Sequence, residues 1–399
     1  MPNLITRTLG PALAATALCL STAASGATFK TEVYEGRLGT NPIVLEVVEA
    51  PLASPGAPLR VGRYFYRKYR ASIPLLATQT PEGLDLSEVG PGCREEAEAC
   101  AVKATFKLKT RGDGVLTGSW TARDKIFPVD LKRVDQSTAP LDQPPSTAQD
   151  LFGGLPLIDD ADFSDPYLSR QVLGQTLYSK EIQYQGVGTV TATDKDTGIH
   201  YVRLSRLANT GAMARTNTLL DKARHELVAY GLACREADPA YGPGAGTLGD
   251  WETYQSKVTY ASQTLLVIQE SGSTFCTGAH PNNSFQYRVY DLKRGEILNF
   301  NRVLKLSRDG KSAYSALLKK LRPRSPYAIL PKSIYADCPS EDLATEEGYT
   351  LSFNAKGLVF SLTDVPHVMS SCQEDYYVVP YSDLKSIWGP EFKAYFPDK

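Results

Sequence analysis

The sequence lacks a charge excess of either sign. Its 43 lysine and arginine residues stand against 44 aspartate and glutamate residues, for a net charge of -1. A nucleic-acid-binding protein usually carries a basic excess or a basic stripe. The one basic cluster, Arg63 to Arg70, alternates with aromatic residues and is typical of a strand with one solvated face. We therefore predict no nucleic-acid partner.

Long hydrophobic runs are lacking after the N-terminal segment, so we predict no transmembrane segment in the mature chain. Residues 1–27 differ from the rest. They contain one charge, Arg7, then the apolar run Pro11 to Leu20, and then small residues up to Ala27. This order is typical of a signal peptide, and cleavage after Gly26 or Ala27 fits it equally well. An uncleaved anchor is the alternative, and we expect a periplasmic or secreted protein.

Cysteine and histidine are scarce, with seven and four residues. Cys19 lies within the expected leader, and the even number that remains is typical of an oxidising compartment. No Cys-x-x-Cys or His-x-x-x-His pair exists, so we predict neither a metal site nor a cofactor. Among several possible connectivities, sequence order favours three disulfides: Cys93–Cys100, Cys234–Cys276 and Cys338–Cys372.

Residues 28–134 show short alternating segments separated by glycine, proline and asparagine, with no helical pattern. The run from Arg111 to Gly114 is a hairpin turn signal. These features predict an antiparallel β-meander that closes into a small barrel or curls strongly, because an open sheet would expose its edges.

Residues 135–150 contain Pro140, Pro144 and Pro145 among small polar residues, which predicts a linker. Residues 151–399 mix helical and strand patterns without strict alternation, which predicts an α+β domain with an antiparallel sheet. We divide this domain into subdomains 151–247 and 248–399. The helix from Ala212 to Ala233 carries an apolar face that includes Leu220, Leu227 and Tyr230.

Several motifs of the second domain follow one another in a recognisable order. They are Thr264 to Glu270, Thr277 to Asn282, Tyr287 to Gly295, Ile297 to Val303, Phe353 to Leu358 and Val379 to Leu384. This series resembles the uncharacterised extracytoplasmic domain at the C-terminus of the lysozyme-sensing anti-sigma factor and of some peptidoglycan deacetylases, where it lies outside the catalytic domain. Residues 177–233 resemble its usual companion domain. The resemblance implies a binding module and, by analogy, lysozyme as a ligand.

Candidate chemistry is sparse. His280 and His367 could bind or catalyse, but neither lies in a nucleophile motif such as Gly-x-Ser-x-Gly. The Asp194 to Gly198 segment matches half of a calcium loop, but a hairpin turn explains it better because Ser205 stands where the final glutamate belongs. We assign no catalytic residue. The binding hypothesis falls on one loop: Gly278, Ala279, His280, Pro281, Asn282 and Asn283.

Three functions remain open. The first is a non-enzymatic exported binding protein, with a lysozyme-like cell-wall hydrolase as candidate partner and a role as inhibitor, immunity factor or sensor. The acidic loop between Cys93 and Cys100 would suit a basic hydrolase by charge. The second is an enzyme acting on peptidoglycan or its fragments, which needs a deep pocket in the second domain with a histidine and a carboxylate. The third is a small-ligand carrier with an apolar cavity inside the first domain.

Overall fold

The computed structural model describes residues 28–53, 56–80, 83–90, 101–112, 114–140, 143–155, 165–236, 253–276, 281–305, 349–363, 370 and 372–399. Several sequence predictions lie outside these ranges. They concern the leader 1–27, the acidic loop between Cys93 and Cys100 with both cysteines, the residues Gly278, Ala279 and His280, and Cys338 and His367.

The first part of the chain is a closed eight-stranded barrel. Its strands are β1 (Thr28–Leu38), β2 (Asn41–Ala50), β3 (Leu59–Tyr66), β4 (Ile73–Thr80), β5 (Gly83–Glu88), β6 (Ala104–Arg111), β7 (Val115–Ala122) and β8 (Lys125–Pro140). Each strand pairs antiparallel with the next, and β1 pairs with β8 from Thr28↔Pro140 to Leu38↔Val129. The predicted antiparallel meander is confirmed, and it hides its edges by closing.

The middle of the barrel is filled with side chains. Because side chains alternate across a strand, one apolar face of each strand points inward. The Tyr64 and Phe106 rings meet edge to face there, with centroids 5.1 Å apart. The fully buried members of this cluster include Leu38, Ile43, Leu45, Tyr64, Leu75, Leu86, Phe106 and Leu131.

The predicted hairpin turn joins β6 to β7. Arg111 pairs with Val115, and the Val115 N–H donates to the Gly112 carbonyl at 3.2 Å. Gly114 has a φ of 78°, a left-handed conformation that glycine adopts without a Cβ penalty. The glycine-rich sequence at this point therefore corresponds to a real backbone requirement.

The second part begins with short helices and one sheet. The elements are α1 (Ala148–Gly153), α2 (Pro166–Val172), β9 (Thr176–Tyr178), β10 (Ile182–Tyr184), β11 (Val187–Asp194), β12 (His200–Arg206) and α3 (Thr210–Glu236). Both β9 and β10 pair with β11, which pairs in turn with β12. The predicted helix over Ala212 to Ala233 is α3, which buries Leu220 and Leu227, whereas Tyr230 is exposed.

Two further antiparallel sheets follow. The first contains β13 (Gln255–Ala261), β14 (Leu265–Thr274), β15 (Asn282–Asp291) and β16 (Glu296–Ile297), and the second β17 (Tyr349–Phe353), β18 (Gly357–Leu362) and β19 (Glu374–Pro380). Helix α4 (Phe300–Val303), a 3₁₀ helix (Tyr381–Ile387) and α5 (Phe392–Tyr395) complete the described chain. The whole is a sheet-rich α+β protein, as predicted.

Local signals set the bounds of these last elements. Strand β16 ends at Ile297, because the Asn299 side chain accepts the Asn301 N–H and starts α4. The C-terminal segment is divided into the 3₁₀ helix and α5. Pro390 lies between them and supplies no N–H for a continuous helix.

The barrel and the second part share one hydrophobic core. Val33, Val44 and Phe65 point outward from the barrel and cluster with Tyr167 and Leu168 of α2. The rings of Phe65 and Tyr167 meet edge to face, with centroids 5.2 Å apart. Strand β8 runs to Pro140, so the first residues of the segment predicted as a linker pair with β1 instead.

A buried arginine joins the same two parts. Arg70 follows β3 and is 1% exposed, and its Nη2 lies 2.5 Å from Oδ1 of Asp194, which is 0% exposed. Its Nη1 donates to the carbonyls of Gln171 and Val172 at 3.3 and 3.2 Å. In return, the Gln171 side-chain amide donates to the Arg70 carbonyl at 2.7 Å. The barrel is therefore fixed to the second part by both apolar and ionic contacts.

Candidate functional site

The loop predicted to bind a partner is described only at its C-terminal half. Gly278, Ala279 and His280 lie outside the described residues. Pro281, Asn282 and Asn283 are exposed at the start of β15. Asn282 pairs with Thr274 in β14, and the Asn283 side-chain amide donates to Ser370 Oγ at 3.1 Å. These residues therefore occupy a solvent-facing hairpin end.

A disulfide joins Cys234, in the last turns of α3, to Cys276, two residues beyond β14. Their Cα atoms are 4.8 Å apart, within the usual range for a disulfide. Cys372 is also disulfide-bonded, and its predicted partner Cys338 lies outside the described residues, as do Cys93 and Cys100. The covalent link ties the start of the loop between β14 and β15 to the long helix.

The two histidines that the structure describes do not converge on one site. His200 is half-buried in β12, and His225 is half-buried in α3. Burial and the neighbouring Arg224 guanidinium lower the pKa of His225, so the neutral imidazole is favoured. In the described ranges, no group of three or more histidine, cysteine, aspartate or glutamate side chains could hold a metal ion.

The Asp194 turn is a hairpin rather than a calcium loop. Asp194 Oδ1 accepts the backbone N–H groups of Asp196 and Thr197, at 3.2 and 3.0 Å, and the Thr197 hydroxyl at 2.9 Å. The same oxygen pairs with Arg70. Gly198, with a φ of 74°, closes the turn before β12. The Asp194 carboxylate therefore has a structural role.

A cavity lies at one mouth of the barrel, where β1 begins and β8 ends. Its volume is about 400 Å³, within the size range of small-molecule sites. Val47, Leu84 and Leu116 contribute the apolar part of its lining, next to the Tyr34 ring. The rest of the lining is polar and charged, formed by Lys30, Glu32, Glu49, Arg60, Thr80 and Thr110 with the backbone of Gly83.

Glu32 is the most heavily bonded carboxylate of this mouth. Its Oε1 lies 2.9 Å from Lys30 Nζ and 2.6 Å from Arg133 Nη1, and its Oε2 accepts the Tyr34 hydroxyl at 2.8 Å. Burial alone would raise the pKa of Glu32, but the hydrogen bonds from Lys30, Tyr34 and Arg133 outweigh it and lower the pKa. Glu32 is therefore ionised at neutral pH and serves to hold Lys30 and Arg133 in place.

A second ion pair crosses the same mouth. Lys30, Glu49 and Arg60 are successive register partners on β1, β2 and β3, so their side chains form a row of alternating charge. Arg60 Nε donates to Glu49 Oε2 at 2.6 Å, and Arg60 Nη2 pairs with the same oxygen. The row presents two cations around one carboxylate.

The opposite end of the barrel is closed by a buried carboxylate. Glu88 accepts hydrogen bonds from the Tyr64 hydroxyl and from the Trp120 indole N–H. Burial and the nearby Glu88 charge raise the pKa of Tyr64, so its hydroxyl stays protonated. Trp120 also stacks on Phe127, with ring centroids 5.7 Å apart. This end is a satisfied network rather than an open site.

Another buried network lies in the second part. Glu270 is 0% exposed and accepts hydrogen bonds from the Tyr201 hydroxyl and the Gln286 amide. Arg288 Nε lies 2.8 Å from its Oε1 and also reaches Glu226. The carboxylate is thus paired with one cation, Arg288, and accepts two further hydrogen bonds. It joins β12, β14 and β15, which is a structural role.

The sequence prediction missed the barrel mouth. Lys30, Glu32 and Tyr34 stand at every second position of β1 and so share one strand face. The sequence therefore did contain a sign of this site. The same face of β1 carries charged residues at its beginning and becomes apolar further along the strand. Only the closure of β1 onto β8 shows that this face points into the barrel.

Within the described residues, none of the helices is long and apolar enough to span a membrane. No family model matches the chain, and no curated protein matches it. Among solved structures, a DUF3298 family protein from Pseudomonas aeruginosa PAO1 is similar, with 14% identity and a TM-score of 0.30 over 55% of this chain and 94% of that chain.

Proposed function

We propose that this chain is an exported binding protein whose ligand site is the cavity at the barrel mouth. The observation that carries the proposal is a cavity of about 400 Å³ at the mouth of an otherwise filled barrel. Eight-stranded barrels have room for a small ligand or for packed side chains. Here the side chains fill the middle, so the predicted apolar interior cavity is replaced by a polar cavity at one end.

The lining favours binding over catalysis. Both carboxylates of the mouth are paired with cations, which leaves neither positioned as a free base. The described lining contains no histidine, and Lys30 is paired with Glu32, whereas a hydroxyl nucleophile such as that of Thr80 or Thr110 needs a free base. The predicted peptidoglycan-acting site required His280 or His367, and both lie outside the described residues. That alternative stays a prediction.

Export rests on the leader predicted over residues 1–27 and on the Cys234–Cys276 disulfide. Disulfides persist in oxidising compartments and are rare in the reducing cytosol. We therefore place the binding function in the periplasm or the extracellular medium, where a polar solute or a cell-envelope component would be the ligand.

Plugging the mouth tests the proposal. Thr110 lines the cavity from the end of β6, so Thr110→Trp should fill it. We expect a thermal-shift screen of small polar solutes of all three charge classes to find ligands that stabilise the wild type. In titration calorimetry, those ligands should bind Thr110→Trp at least about tenfold more weakly, a loss of about 1.4 kcal/mol.

Thr121→Trp is the matched control. Thr121 lies on the adjacent strand β7 and is exposed, and its neighbour Trp120 is the residue that points inward. This variant should bind like the wild type. The proposal is wrong if no solute binds, or if both tryptophan variants bind every ligand as the wild type does.

We propose a second surface for a protein partner, the hairpin end that carries Pro281, Asn282 and Asn283. The disulfide at Cys276 fixes the start of the loop between β14 and β15 to α3, and an anchored loop reduces the ordering cost of binding. A lysozyme-like muramidase is the candidate partner, in keeping with the sequence resemblance. The role would be that of inhibitor, immunity factor or sensor.

Pull-down and calorimetry with a c-type lysozyme and a bacterial muramidase test this surface. We expect binding by the wild type, and a loss of about tenfold or more in a variant that combines His280→Ala with Asn282→Ala. Asn301→Ala, at an exposed asparagine of α4, should leave binding unchanged. If the wild type binds neither hydrolase, the proposal that a muramidase is the partner is wrong.

A further inference from the structure

We infer that the barrel mouth takes a compact polyhydroxylated carboxylate, a solute of the sugar-acid type. This inference rests on the proposed ligand site and specifies its chemistry. It is drawn from the hydrogen-bonding groups that the mouth leaves open, from its charge, and from the small apolar part of its lining.

The open groups of the mouth are mainly donors. Within the described chain, Lys30 Nζ has one partner, Glu32, although an ammonium group carries three donors. Arg60 directs Nε and Nη2 at Glu49, and its Nη1 has no partner among the residues that the structure describes. The hydroxyls of Thr80 and Thr110 add two groups that can donate or accept. A ligand rich in acceptor oxygens satisfies this set.

One carboxylate oxygen remains open as an acceptor. Glu49 Oε2 receives both contacts from Arg60, while its Oε1 has no partner among the described residues. Glu32 is different, because both of its oxygens are occupied. The mouth can therefore accept a hydrogen bond from a ligand hydroxyl group, and it can donate several hydrogen bonds to ligand oxygens. An anionic ligand without a hydrogen-bond donor, such as sulfate, would leave Glu49 Oε1 unsatisfied.

The open charged groups of the mouth favour an anion. Among the described lining residues, two cations, Lys30 and Arg60, stand against two carboxylates, Glu32 and Glu49. Arg133, which is not part of the lining, also pairs with Glu32, so most of the open hydrogen-bonding capacity lies on the two cations. An ionised ligand carboxylate would gain charge-assisted hydrogen bonds from Lys30 and Arg60, which are stronger than those between neutral groups. A ligand ammonium group would meet two cations around Glu49 instead.

The apolar part of the lining is small, which disfavours ligands with a long apolar chain. Val47, Leu84 and Leu116 can contact the C–H face of a ring, but most of the lining is hydroxylated or charged. Burying a long apolar chain against these groups would leave them unsatisfied, at a cost in affinity. A ring that carries hydroxyl groups and one carboxylate matches both kinds of lining.

Three sugars of one scaffold test the inference. D-glucuronate, D-glucose and D-glucosamine differ mainly in charge, from negative through neutral to positive at neutral pH. We expect titration calorimetry on the full mature chain to show glucuronate bound at least about tenfold more tightly than glucose, because of its charge-assisted bonds. Glucosamine should bind most weakly.

Lys30→Gln then tests whether Lys30 is the group that recognises the negative charge of the ligand. Lys30 is partly exposed, and Glu32 keeps Arg133 and Tyr34 in its absence, so the fold should be preserved. We expect this variant to lose about tenfold in glucuronate affinity while its glucose affinity stays unchanged. Lys257→Gln, at an exposed lysine of β13, is the control and should bind like the wild type.

Equal affinity for the three sugars, a preference for glucosamine, or no binding of any of them overturns the inference. These results are distinct from failure of the proposed ligand site. If other solutes bind and Thr110→Trp blocks them, the cavity is still the site and only the ligand chemistry assigned here is wrong.

Discussion

Arg70→Met is expected to lower the free energy of unfolding by about 3–5 kcal/mol, the usual effect of removing one partner from a buried ion pair. Arg70 and Asp194 are almost fully buried, at 1% and 0% exposure. Without the guanidinium, the Asp194 carboxylate keeps its hydrogen bonds within the turn but has no opposite charge. The carbonyls of Gln171 and Val172 also lose their donor.

Urea unfolding measures this effect, followed by far-UV circular dichroism and by fluorescence in a Trp251→Phe/Trp388→Phe background, which leaves Trp120 as the one tryptophan. The control is Arg203→Met, which breaks the pair between Arg203 and Asp221, whose side chains are 29% and 33% exposed. A pair of that exposure contributes about 0–1 kcal/mol. A loss below about 1 kcal/mol for Arg70→Met would show that the ion pair does not hold the two parts together.

The same experiment tests the shared core. Trp120 lies in the barrel, whereas circular dichroism reports on all elements, including α3. Because Phe65 packs against Tyr167 across the boundary, we expect the two signals to change together in the wild type. Separate transitions would mean that the barrel unfolds independently.

Replacing Cys234 and Cys276 together with serine is expected to lower the free energy of unfolding by about 2–4 kcal/mol. The disulfide joins residues separated by 42 positions, so it removes substantial chain entropy from the unfolded state. It is also the covalent link between α3 and the β14–β15 hairpin. The double replacement avoids leaving one unpaired thiol, which matters because Cys234 is 0% exposed.

Thermal unfolding by calorimetry, with and without a reductant, measures this contribution. We expect a lower midpoint for the double variant. Adding the reductant should lower the unfolding midpoint of the double variant less than that of the wild type, because the variant no longer has this disulfide to lose. An unchanged unfolding midpoint would contradict both the stabilising role of the bond and its use as an anchor for the hairpin.

Local patterns in the sequence predicted much of the fold. Alternation along segments such as Ala104 to Lys109 identified the strands, because a half-buried strand has a period of two. The turn at Gly114 and the helix α3 were predicted from glycine placement and apolar periodicity. Edge avoidance then favoured closure, and the barrel closes.

The contacts between the two parts could not be predicted, because they join residues far apart in sequence. Arg70 and Asp194 are 124 positions apart, and each alone resembled an ordinary polar residue near a turn. The proline-rich composition of residues 135–150 indicated a linker, but pairing with β1 holds the chain as far as Pro140 in strand β8. Tertiary pairing overrode local composition there.

The barrel mouth was missed for a related reason. The sequence shows which residues of β1 share a face, but not whether that face points inward or toward solvent. The row formed by Lys30, Glu49 and Arg60 exists only once three strands adopt their register. For the hairpin end, the sequence located Pro281, Asn282 and Asn283 on a surface turn, and the structure describes them as exposed.

The central claim is that the barrel mouth is the ligand site, and methyl NMR tests it most directly. With methyl groups of valine and leucine labelled in the full chain, titration of glucuronate, or of the best solute from the screen, should shift the signals of Val47, Leu84 and Leu116. The methyl groups of Leu351 and Leu358, in the core of the second part, should not move. Shifts confined to the second part, or no shift at all at the mouth, would contradict the account.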